Sequence, residues 1–411
     1  MRDTPYGGNA LGMVVKEVDF PPGFGLHTGN IGIKDHTNDV MILAAPPGTV
    51  AAGVFTKSRF SGPSVTLSRA HLEDGRARAV VILSKNANVA TGEVGDANAR
   101  EVAELTASVL GCATDEVVVA STGVIGVQYP MDRIRRYMGR LATEGISAFE
   151  QPGSATSAAT AIMTTDTHAK VSIARAGSAR VVGIAKGVGM IEPDMATMLA
   201  VIATDAAVEP SALDTIFRRV VDRTFNALSI DTDTSTSDMA VVLCSQTAGP
   251  AEESAFEAAL HQVCLDLTRQ LAADGEGAET LIVVTVFQAR DDALAKRVAK
   301  FIVNSPLVKT AVHGRDPNWG RVAMAIGKCY DQDILPERIT IRFGPDEVYP
   351  APATKDRLAR LERYLESPEV HIRVGLGIPG EKSDSFGTGS FTAYGCDLTD
   401  GYVRINADYT T

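Results

Sequence analysis

The chain has 411 residues, of which 45% are hydrophobic and 22% charged, a composition that supports a large packed interior and excludes an intrinsically disordered protein. Its formal net charge is -11 and its sequence pI is near 5.2, which argues against a nucleic acid or an anionic membrane as a partner. The length exceeds that of one small core and predicts two domains or two closely packed halves.

Strands and helices alternate along the first half of the chain. Ala79 to Ser84 is an apolar run typical of a buried strand, Asp96 to Leu110 has the spacing of an amphipathic helix, and Glu116 to Ala120 predicts a strand that leads into the loop STGVIG at residues 121–126. This order is typical of α/β packing.

The same alternation is predicted after residue 196. The expected elements are a strand ending at Ala203, a helix over Ser211 to Thr224, a strand over Ala240 to Cys244, a helix over Glu252 to Ala273, a strand over Leu281 to Ala289, a helix over Asp291 to Phe301 and a helix near Arg321 to Ile326. Later strands are expected at Arg338 to Phe343, Val370 to Val374, Ser390 to Tyr394 and Tyr402 to Ile405, with fewer helices. Alternation alone favours a doubly wound parallel sheet.

Cysteine and histidine usage bears on the compartment and on metals. Five widely spaced cysteines without a CxxC pair predict reduced thiols rather than a disulfide framework. The seven histidines form no HxH, HExxH or Cys/His cluster, which gives a metal site little support. No signal peptide and no apolar run of the ~20 residues that a membrane helix needs are visible. We therefore expect a cytoplasmic protein.

The segment KGVGMIEPDMATMLAVIATD at residues 186–205 places Thr197 at the head of an apolar run, directly after the small Ala196. A threonine hydroxyl is a weak nucleophile at neutral pH, and an α-amino group on the same residue, with a reference pKa of ~7.7 to 8.0, suits it as a general base. That amine exists only if the Ala196–Thr197 bond is cut. The residues alone permit self-cleavage, but they favour a buried strand entered through an ordinary glycine turn.

Six separated blocks make the chain similar to one known family. In chain order they are STGVIG, KGVGMIEPDMATML, FNALSIDTDTSTSD, DGEGAE, NSPLVKTAVHGRDPNWGR and GCDLTDGYVRINADYTT. In these blocks the chain resembles the ornithine acetyltransferases, or glutamate N-acetyltransferases, which cleave themselves at an Ala–Thr bond. The resemblance implies cleavage between Ala196 and Thr197, which would leave residues 1–196 as one chain and residues 197–411, led by the nucleophile, as the other.

The resemblance also implies the fold and the partners. It favours an α/β fold of stacked β-sheets sandwiched by helices, shared with self-processing aminopeptidases and N-terminal-nucleophile-like, over the doubly wound sheet. It implies small amino-acid substrates, N-acetylornithine and glutamate, no cofactor and no metal, and a dimer of cleaved pairs.

Two further features of the site follow from residues and resemblance together. Thr122 and Gly123 follow a predicted strand, where a hydroxyl and a backbone N–H could converge on an oxyanion; by local sequence they form a simple turn. Lys186 could hold a substrate carboxylate as a point charge, although a lone lysine is usually solvated. The resemblance assigns these residues to the oxyanion hole and to substrate binding.

The remaining site residues rest on the resemblance more heavily. Glu276, in the DGEG turn, could pair with a substrate ammonium, and its local sequence equally fits a polar turn that ends a helix. Thr164 or Thr165 matches a substrate-contacting threonine of the family. Asn406 and Thr411 match the C-terminal asparagine and threonine that contact substrate there, whereas chain ends usually fray.

Two other blocks are interpreted as structural, and three positions depart from the family. DTDTSTSD at residues 231–238 lacks the glycine and closing glutamate of an EF-hand loop and predicts a hydrogen-bonded loop near the nucleophile. Residues 316–320 contain the single tryptophan and predict a turn into a helix. The family usually has asparagine where this chain has Asp194 and Ser237, and commonly glycine where it has Thr232. These departures leave open a specialised metabolite pathway in place of arginine synthesis.

The predicted activity is transfer of acetyl from N-acetylornithine to glutamate through an acetyl-threonine ester. Three alternatives remain at this point: an amide hydrolase of the aminopeptidase type, a transferase for another N-acyl amino acid, and a metabolite-binding protein that never cleaves itself.

Overall fold

The computed structural model describes residues 17–34, 36–192, 198–351, 354–380, 382 and 385–408. They form two compact units. The N-terminal unit comprises the residues up to 226 together with residues 233–267, and the C-terminal unit comprises residues 227–232 and those from 268 to 408. None of the boundaries between the two units falls at residue 196. The predicted division at that residue concerns a peptide bond and not the packing of the chain.

The N-terminal unit contains two β-sheets and the helices that cover them. Its elements are β1 (Gly25–Gly29), β2 (Val40–Ala44), β3 (Val50–Phe55), α1 (Pro63–His71), β4 (Ala79–Leu83), α2 (Gly92–Leu110), β5 (Val117–Ser121), α3 (Met131–Glu144), α4 (Ala155–Ala161), β6 (Lys170–Ala176), β7 (Ala179–Lys186), β8 (Leu199–Thr204), α5 (Pro210–Arg223), β9 (Met239–Cys244) and α6 (Glu253–Ala273), which extends past residue 267.

The two sheets are mixed rather than parallel. One has the strand order β1-β2-β4-β5 and the other β3-β9-β8-β7-β6. Only β4 with β5 and β8 with β9 pair in parallel within these sheets, whereas the neighbouring strands pair antiparallel. The doubly wound parallel sheet that alternation favours is therefore wrong.

A shared core lies between the two sheets, because alternate residues of each strand point to opposite faces. It joins residues of the first sheet to residues of the second, among them Met41, Leu43, Val80, Ile82, Leu199, Val201, Val241 and Leu243. The other face of the first sheet packs on α2 and α3 through residues such as Val81, Val119, Val102 and Ile134. This burial of both faces is what allows the strands to be almost continuously apolar.

Helix α6 covers the outer face of the second sheet. A Cβ on Gly183 of β7 would lie 2.6 Å from Val263 and 2.9 Å from Leu267 of this helix. Glycine is thus required by the close approach of helix and strand. Helix, sheet, sheet and helix follow one another, and the predicted fold of stacked sheets sandwiched by helices is confirmed.

The C-terminal unit has one sheet of order β12-β11-β13-β10-β14. Its elements are β10 (Leu281–Ala289), α7 (Asp292–Val303), α8 (Pro306–His313), α9 (Trp319–Gly327), β11 (Thr340–Phe343), β12 (Asp346–Tyr349), α10 (Lys355–Tyr364), β13 (Glu369–Gly375), β14 (Gly389–Cys396) and α11 (Asp400–Asp408). Asp291 caps α7 by accepting a hydrogen bond from the Leu294 N–H at 2.7 Å, as expected for an N-cap aspartate.

The predicted strand at Tyr402 to Ile405 is wrong, because these residues lie in α11. Their β-branched and aromatic side chains favour a strand. Local hydrogen bonds decide otherwise: the Gly401 N–H donates to Thr399 Oγ1 at 3.0 Å, and the Asn406 amide donates to the Tyr402 carbonyl one turn earlier at 3.1 Å. The helix starts where Thr399 satisfies its first backbone donor.

Two general expectations can be compared with the structure. Each of the five cysteines is a free thiol, as the absence of a CxxC pair predicts. In the part of the chain that the structure describes, no helix combines the length and the apolar character needed to cross a membrane.

Candidate active site

The predicted cleavage pair, Ala196 and Thr197, lies outside the described residues, as do Asp194 and Thr411. The described chain resumes at Met198, whose carbonyl accepts a hydrogen bond from the Met239 N–H at 2.9 Å. Strand β8 begins at the next residue. The site is therefore built from the residues around the start of β8.

The loop after β5 holds a backbone donor in a fixed place. Gly123 has φ +130°, and a Cβ there would lie 2.2 Å from the carbonyl carbon of Lys85, so only glycine fits. The Thr122 N–H donates to the Leu83 carbonyl at 3.1 Å and the Val124 N–H to the Lys85 carbonyl at 3.4 Å. Among the described residues, the Gly123 N–H between them has no hydrogen-bond partner.

Buried hydroxyl groups hold this loop from beneath. Ser121 at the end of β5 lies 2.6 Å from the Ser64 hydroxyl and donates to the Ala87 carbonyl at 3.0 Å. The Asn88 N–H donates to Asn86 Oδ1 at 2.8 Å. Such a satisfied buried network rigidifies its surroundings. The sequence analysis missed this support from residues 85–88, whose only signal is a polar run directly after an apolar strand.

Lys186 is the residue that joins β7 to the Thr122 loop. It lies at the end of β7 and is 8% exposed, and its Nζ donates to Thr122 Oγ1 at 3.0 Å. Because that oxygen accepts from the ammonium, the hydroxyl hydrogen of Thr122 points elsewhere. A hydroxyl polarised by a cation is a stronger donor than a hydroxyl alone. The structure thus brings together two predicted site residues and gives Lys186 a contact that the sequence did not predict.

Asp166 fixes the end of β7 and the nearby threonine loop. Its buried carboxylate pairs with Lys170 at 2.8 Å and accepts hydrogen bonds from the Gly187 N–H at 2.8 Å and the Thr164 N–H at 3.2 Å. Burial raises its pKa, but the charges of Lys170 and Lys186 and the Gly187 N–H outweigh burial and lower the pKa to about 2. Thr164 is thereby held beside the residue that follows Lys186.

Asp238 is a buried carboxyl that the sequence analysis did not select. Its Oδ2 has no hydrogen-bond partner among the described residues, while Ser235 donates to the carboxyl. Burial raises its pKa well above the ordinary value, against the opposing charge of Lys186. Asp238 directly precedes Met239, the partner of Met198. The only sequence signal is an aspartate that closes a hydroxyl-rich run before an apolar strand.

The loop that leads to Asp238 is hydrogen-bonded, as predicted. Thr56 Oγ1 donates to the Ser235 carbonyl at 2.8 Å, and the Glu192 N–H donates to the Asp233 carbonyl at 2.9 Å. Thr232 has φ +69°, a left-handed conformation that β-branched residues rarely adopt. It is the position where the resembled family commonly has glycine, so this departure carries backbone strain.

Glu276 and Asn406 pair within the C-terminal unit. The Asn406 amide donates to Glu276 Oε2 at 2.9 Å. Gly277 has φ +72°, and a Cβ there would lie 2.4 Å from the Tyr402 nitrogen. The Gly277 carbonyl accepts a hydrogen bond from Thr399 Oγ1 at 2.7 Å. The DGEG turn is thus locked against the start of α11, which sets the two predicted residues side by side.

A second cluster of the C-terminal unit contains residue types that bind metals. His313 Nδ1 lies 3.3 Å from Asp397 Oδ2 and 3.7 Å from Glu279 Oε2. Asp397 also accepts from the Glu279 and Thr280 N–H groups at 2.9 and 3.0 Å. These hydrogen bonds account for the burial of its carboxylate. The three residues are far apart in sequence, so no spacing motif predicts the cluster.

Two sizeable cavities of the N-terminal unit lie away from Thr122. One of about 620 Å³ is lined by β3, residues 72–75 and the start of α5, and one of about 480 Å³ lies against α3. Neither is lined by Lys186 or Thr122.

The fold and the supported loop place the chain among α/β proteins with two helix-covered stacked sheets. The family model described as "ArgJ family" matches residues 25–411. The glutamate N-acetyltransferase Oat2 of Streptomyces clavuligerus is 54% identical over 400 residues, covering 95% of this chain and 98% of that protein. The arginine biosynthesis bifunctional protein ArgJ 2 of a Nostoc species is 51% identical over 393 residues, with the same coverage. The solved argJ protein of Bacillus halodurans is 40% identical, covering 52% of this chain and 100% of that chain at a TM-score of 0.48.

The chain belongs to the ArgJ family and is an acyltransferase.

Replacing Asp166 by asparagine tests the anchoring role of this carboxylate. The change leaves Lys170 buried without its counter-charge, and we expect it to lower the free energy of unfolding at pH 7 by about 3–5 kcal/mol. Because the folded pKa lies below the ordinary value of about 3.9, the stabilisation is present above pH 4 and is lost as the pH falls toward 2. Denaturant titrations at pH 7 and pH 3 measure both effects.

The matched control for this test is Asp214→Asn, which breaks an exposed pair with Arg218 at 2.8 Å. We expect it to cost less than about 1 kcal/mol. A loss for Asp166→Asn that is equally large at both pH values would contradict the assigned ionisation.

Proposed function

We propose that this acyltransferase moves acetyl from N-acetyl-L-ornithine to L-glutamate, with Thr197 as the residue that carries the acetyl group. The relative Oat2 bears the name glutamate N-acetyltransferase, and its identity over nearly the whole of both chains supports the same reaction class here. The observation that carries the proposal is the contact of Lys186 Nζ with Thr122 Oγ1 beside the Gly123 N–H, which has no hydrogen-bond partner among the described residues. The Thr122 hydroxyl and the Gly123 N–H are the two donors proposed for one oxyanion.

Maturation comes first in the proposed sequence. The Thr197 hydroxyl attacks the Ala196 carbonyl, the Ala196–Thr197 C–N bond breaks, and an ester forms. Water then hydrolyses the ester, releasing the Ala196 carboxylate and a Thr197 with a free α-amine. In acetyl transfer this amine acts as the general base for the Thr197 hydroxyl near neutral pH. Residues 1–196 and 197–411 become separate chains, which we propose remain paired and assemble as a dimer of pairs in the cytoplasm.

Acetyl transfer then proceeds in two halves. The Thr197 amine takes the hydroxyl proton as the oxygen attacks the acetyl carbonyl, and the Thr122 hydroxyl and Gly123 N–H donate to the oxyanion. Collapse breaks the acetyl C–N bond, ornithine leaves with the proton on its nitrogen, and an acetyl-threonine ester remains. The amine of glutamate attacks that ester, N-acetylglutamate leaves, and ping-pong kinetics are expected. None of these steps requires a cofactor or a metal.

Substrate binding is proposed for Thr164, Thr165, Lys186, Glu276, Asn406 and Thr411. Glu276 supplies a carboxylate for an ammonium group, and one of its partners is the neutral Asn406 amide, which an ammonium can replace with a gain in charge-assisted bonding. Lys186 supplies a cation for a carboxylate in addition to its contact with Thr122. The donor and acceptor belong either to arginine synthesis or to a specialised metabolite pathway such as antibiotic biosynthesis. A screen of N-acyl amino acids distinguishes these alternatives, and it uses the wild-type protein, which retains Asp194, Thr232 and Ser237.

Asp238 completes the proposed machinery as a positioning residue. Its buried Oδ2 has no partner in the described part of the chain. The residue lies beside the backbone pair Met239–Met198, and Met198 directly follows Thr197 in sequence. Burial alone favours the protonated form of the Asp238 carboxyl by raising its pKa, whereas an ammonium that forms on the Thr197 amine during transfer would favour the carboxylate. Asp238 is therefore proposed to stabilise the ammonium, which makes the amine a better proton acceptor.

Changing Thr197 to alanine tests cleavage and transfer together. We expect the wild-type protein to contain a second chain whose N-terminus reads TMLAV, and the Thr197→Ala variant to remain one chain of 43.4 kDa without acetyl transfer, because it has no nucleophile. Intact mass and N-terminal sequencing measure cleavage, and an N-acetylglutamate assay measures transfer.

The control for Thr197 is Thr160→Ala, which removes an exposed hydroxyl from α4 and is expected to be cleaved and active. Acetyl transfer by the Thr197→Ala variant at the wild-type rate would contradict the proposal. Efficient release of acetate in the presence of saturating glutamate would instead identify a hydrolase.

Removing the Thr122 hydroxyl tests the oxyanion hole. Thr122→Ala is expected to lower kcat by ~10² to 10³, the typical loss for one oxyanion donor, with little change in KM since the donor acts in the transition state. Thr122→Ser keeps the hydroxyl that Lys186 contacts and should recover most of the rate. Equal rates for the alanine and serine variants would show that the hydroxyl does not act in transfer.

Replacing Asp238 by asparagine tests its proposed role through the pH profile. A nearby carboxylate raises the pKa of an amine, so its removal lowers the pKa of the Thr197 amine and moves the acid limb of kcat/KM to lower pH. The rate itself should fall by about 10- to 100-fold, the worth of a charge-assisted hydrogen bond. Rates are measured on protein whose cleavage is confirmed by mass.

The control for Asp238 is Asp233→Asn, which neutralises an exposed carboxylate of the same loop and should leave rate and pH profile unchanged. An unaltered acid limb in Asp238→Asn would exclude the ammonium as its partner. A folded Asp238→Asn chain that fails to cleave would also count against a role confined to transfer.

A further inference from the structure

Helix α3 presents three arginines, Arg133, Arg136 and Arg140, on one exposed face. The spacing of three and then four residues aligns them along the helix. Together with Ile31 and Tyr137 they line a cavity of about 480 Å³. We refer to these three residues as the arginine row.

No carboxylate among the described residues forms an ion pair with the arginine row. The Arg133 guanidinium donates to the Gly32 carbonyl, Arg136 Nε donates to the Asp132 carbonyl at 3.1 Å, and the Arg140 guanidinium lies over the Tyr137 ring at 5.8 Å. All of these partners are neutral groups, so among the described residues none of the three guanidinium groups is neutralised by an ion pair.

Arg135 of the same helix shows the opposite behaviour. Its guanidinium pairs with Glu101 at 2.6 Å and with Asp132 at 3.2 Å. The helix therefore neutralises the arginine on one side and leaves three unneutralised on the side that faces the cavity. In a chain of net charge -11, this concentration of positive charge is local to one surface.

The arginine row destabilises its helix and favours one class of anion. Like charges at helical spacing destabilise a helix by ~0.2–0.5 kcal/mol per pair, a cost that a bound anion would offset. Every member of the row is arginine rather than lysine. The planar guanidinium fork matches phosphate oxygens in pairs, whereas a lysine acts as a point charge.

The wall opposite the row is held in place by buried polar groups. The Asp39 carboxylate accepts hydrogen bonds from the Ile31, Gly32 and Ile33 N–H groups at 2.6, 3.0 and 2.7 Å. Three backbone N–H groups of this loop therefore donate hydrogen bonds to the Asp39 carboxylate. This loop carries Ile31, which lines the cavity.

Tyr137, which lies on α3 between Arg136 and Arg140, is fixed against β1. Its hydroxyl lies 2.7 Å from His27 Nε2, and a Cβ on Gly29 would lie 1.8 Å from that hydroxyl oxygen. The Tyr137 ring that supports Arg140 is therefore set by β1, and the cavity has a preformed shape, as ligand pockets usually do.

We propose that the arginine row binds a small anion that carries at least two phosphate groups. At 1.5 Å rise per residue, the seven steps from Arg133 to Arg140 extend ~10 Å along the helix, which is longer than one phosphate. The cavity has the volume of a small-molecule site. The proposal concerns only α3 and its neighbouring loop and is independent of acetyl transfer.

Calorimetric titration of the full-length protein with inorganic pyrophosphate at fixed ionic strength tests the proposal. The wild-type chain should bind pyrophosphate at least about tenfold more tightly than orthophosphate, and the triple variant Arg133→Gln, Arg136→Gln, Arg140→Gln should bind it at least about tenfold more weakly, because charge-assisted bidentate contacts are lost. Arg135→Gln, the matched control, should bind as the wild type does.

Thermal melting without ligand separates loss of binding from loss of folding. The triple variant should melt at or above the wild-type temperature, since like-charge repulsion is relieved. If it does not fold, Arg136→Gln replaces it, because the Arg136 guanidinium donates its hydrogen bond to a carbonyl of its own helix. Binding of pyrophosphate that the arginine variants leave unchanged, no binding to the wild type, or equal affinity for orthophosphate would overturn the proposal.

Discussion

A lysine ammonium buried at the end of a strand needs partners, and the hydroxyl of Thr122 is one that the fold supplies to Lys186. Taking such a charge out of water costs several kcal/mol unless it is paired or hydrogen-bonded. Asp166 provides a nearby negative charge and simultaneously binds the Gly187 and Thr164 N–H groups. The electrostatic requirement of one side chain therefore organises the end of β7, the threonine loop and the loop after β5.

The same arrangement supports the proposed oxyanion hole. Because Thr122 accepts from a cation, its own hydrogen is available outward, next to a Gly123 N–H that no described residue uses. Both donors are fixed before any substrate binds, by the left-handed glycine and by the serine contacts beneath it. Donors fixed in advance need no reorganisation when charge develops, which is the physical basis of oxyanion stabilisation.

Much of the fold could be predicted from the sequence where apolar runs are long, as in β10, whose predicted and observed bounds agree. Sheet order could not, since alternation of strand and helix does not distinguish parallel from mixed pairing, and α11 was missed because a hydroxyl cap outweighs strand propensity. For the site, the resembled motifs predicted Thr122, Gly123 and Lys186, and the structure shows the hydrogen bond between Lys186 and Thr122. Asp166 and Asp238 escaped because burial and an orphaned oxygen are properties of packing, not of residue order.

The central claim is that Thr197 carries the acetyl group while Thr122 and Gly123 hold the oxyanion. The most direct measurement is the mass of the peptide that begins at Thr197, after incubation of the purified protein with N-acetylornithine in the absence of glutamate. The account predicts one added acetyl group on Thr197 that glutamate then removes as N-acetylglutamate. Transfer that proceeds while this peptide never gains acetyl would contradict it.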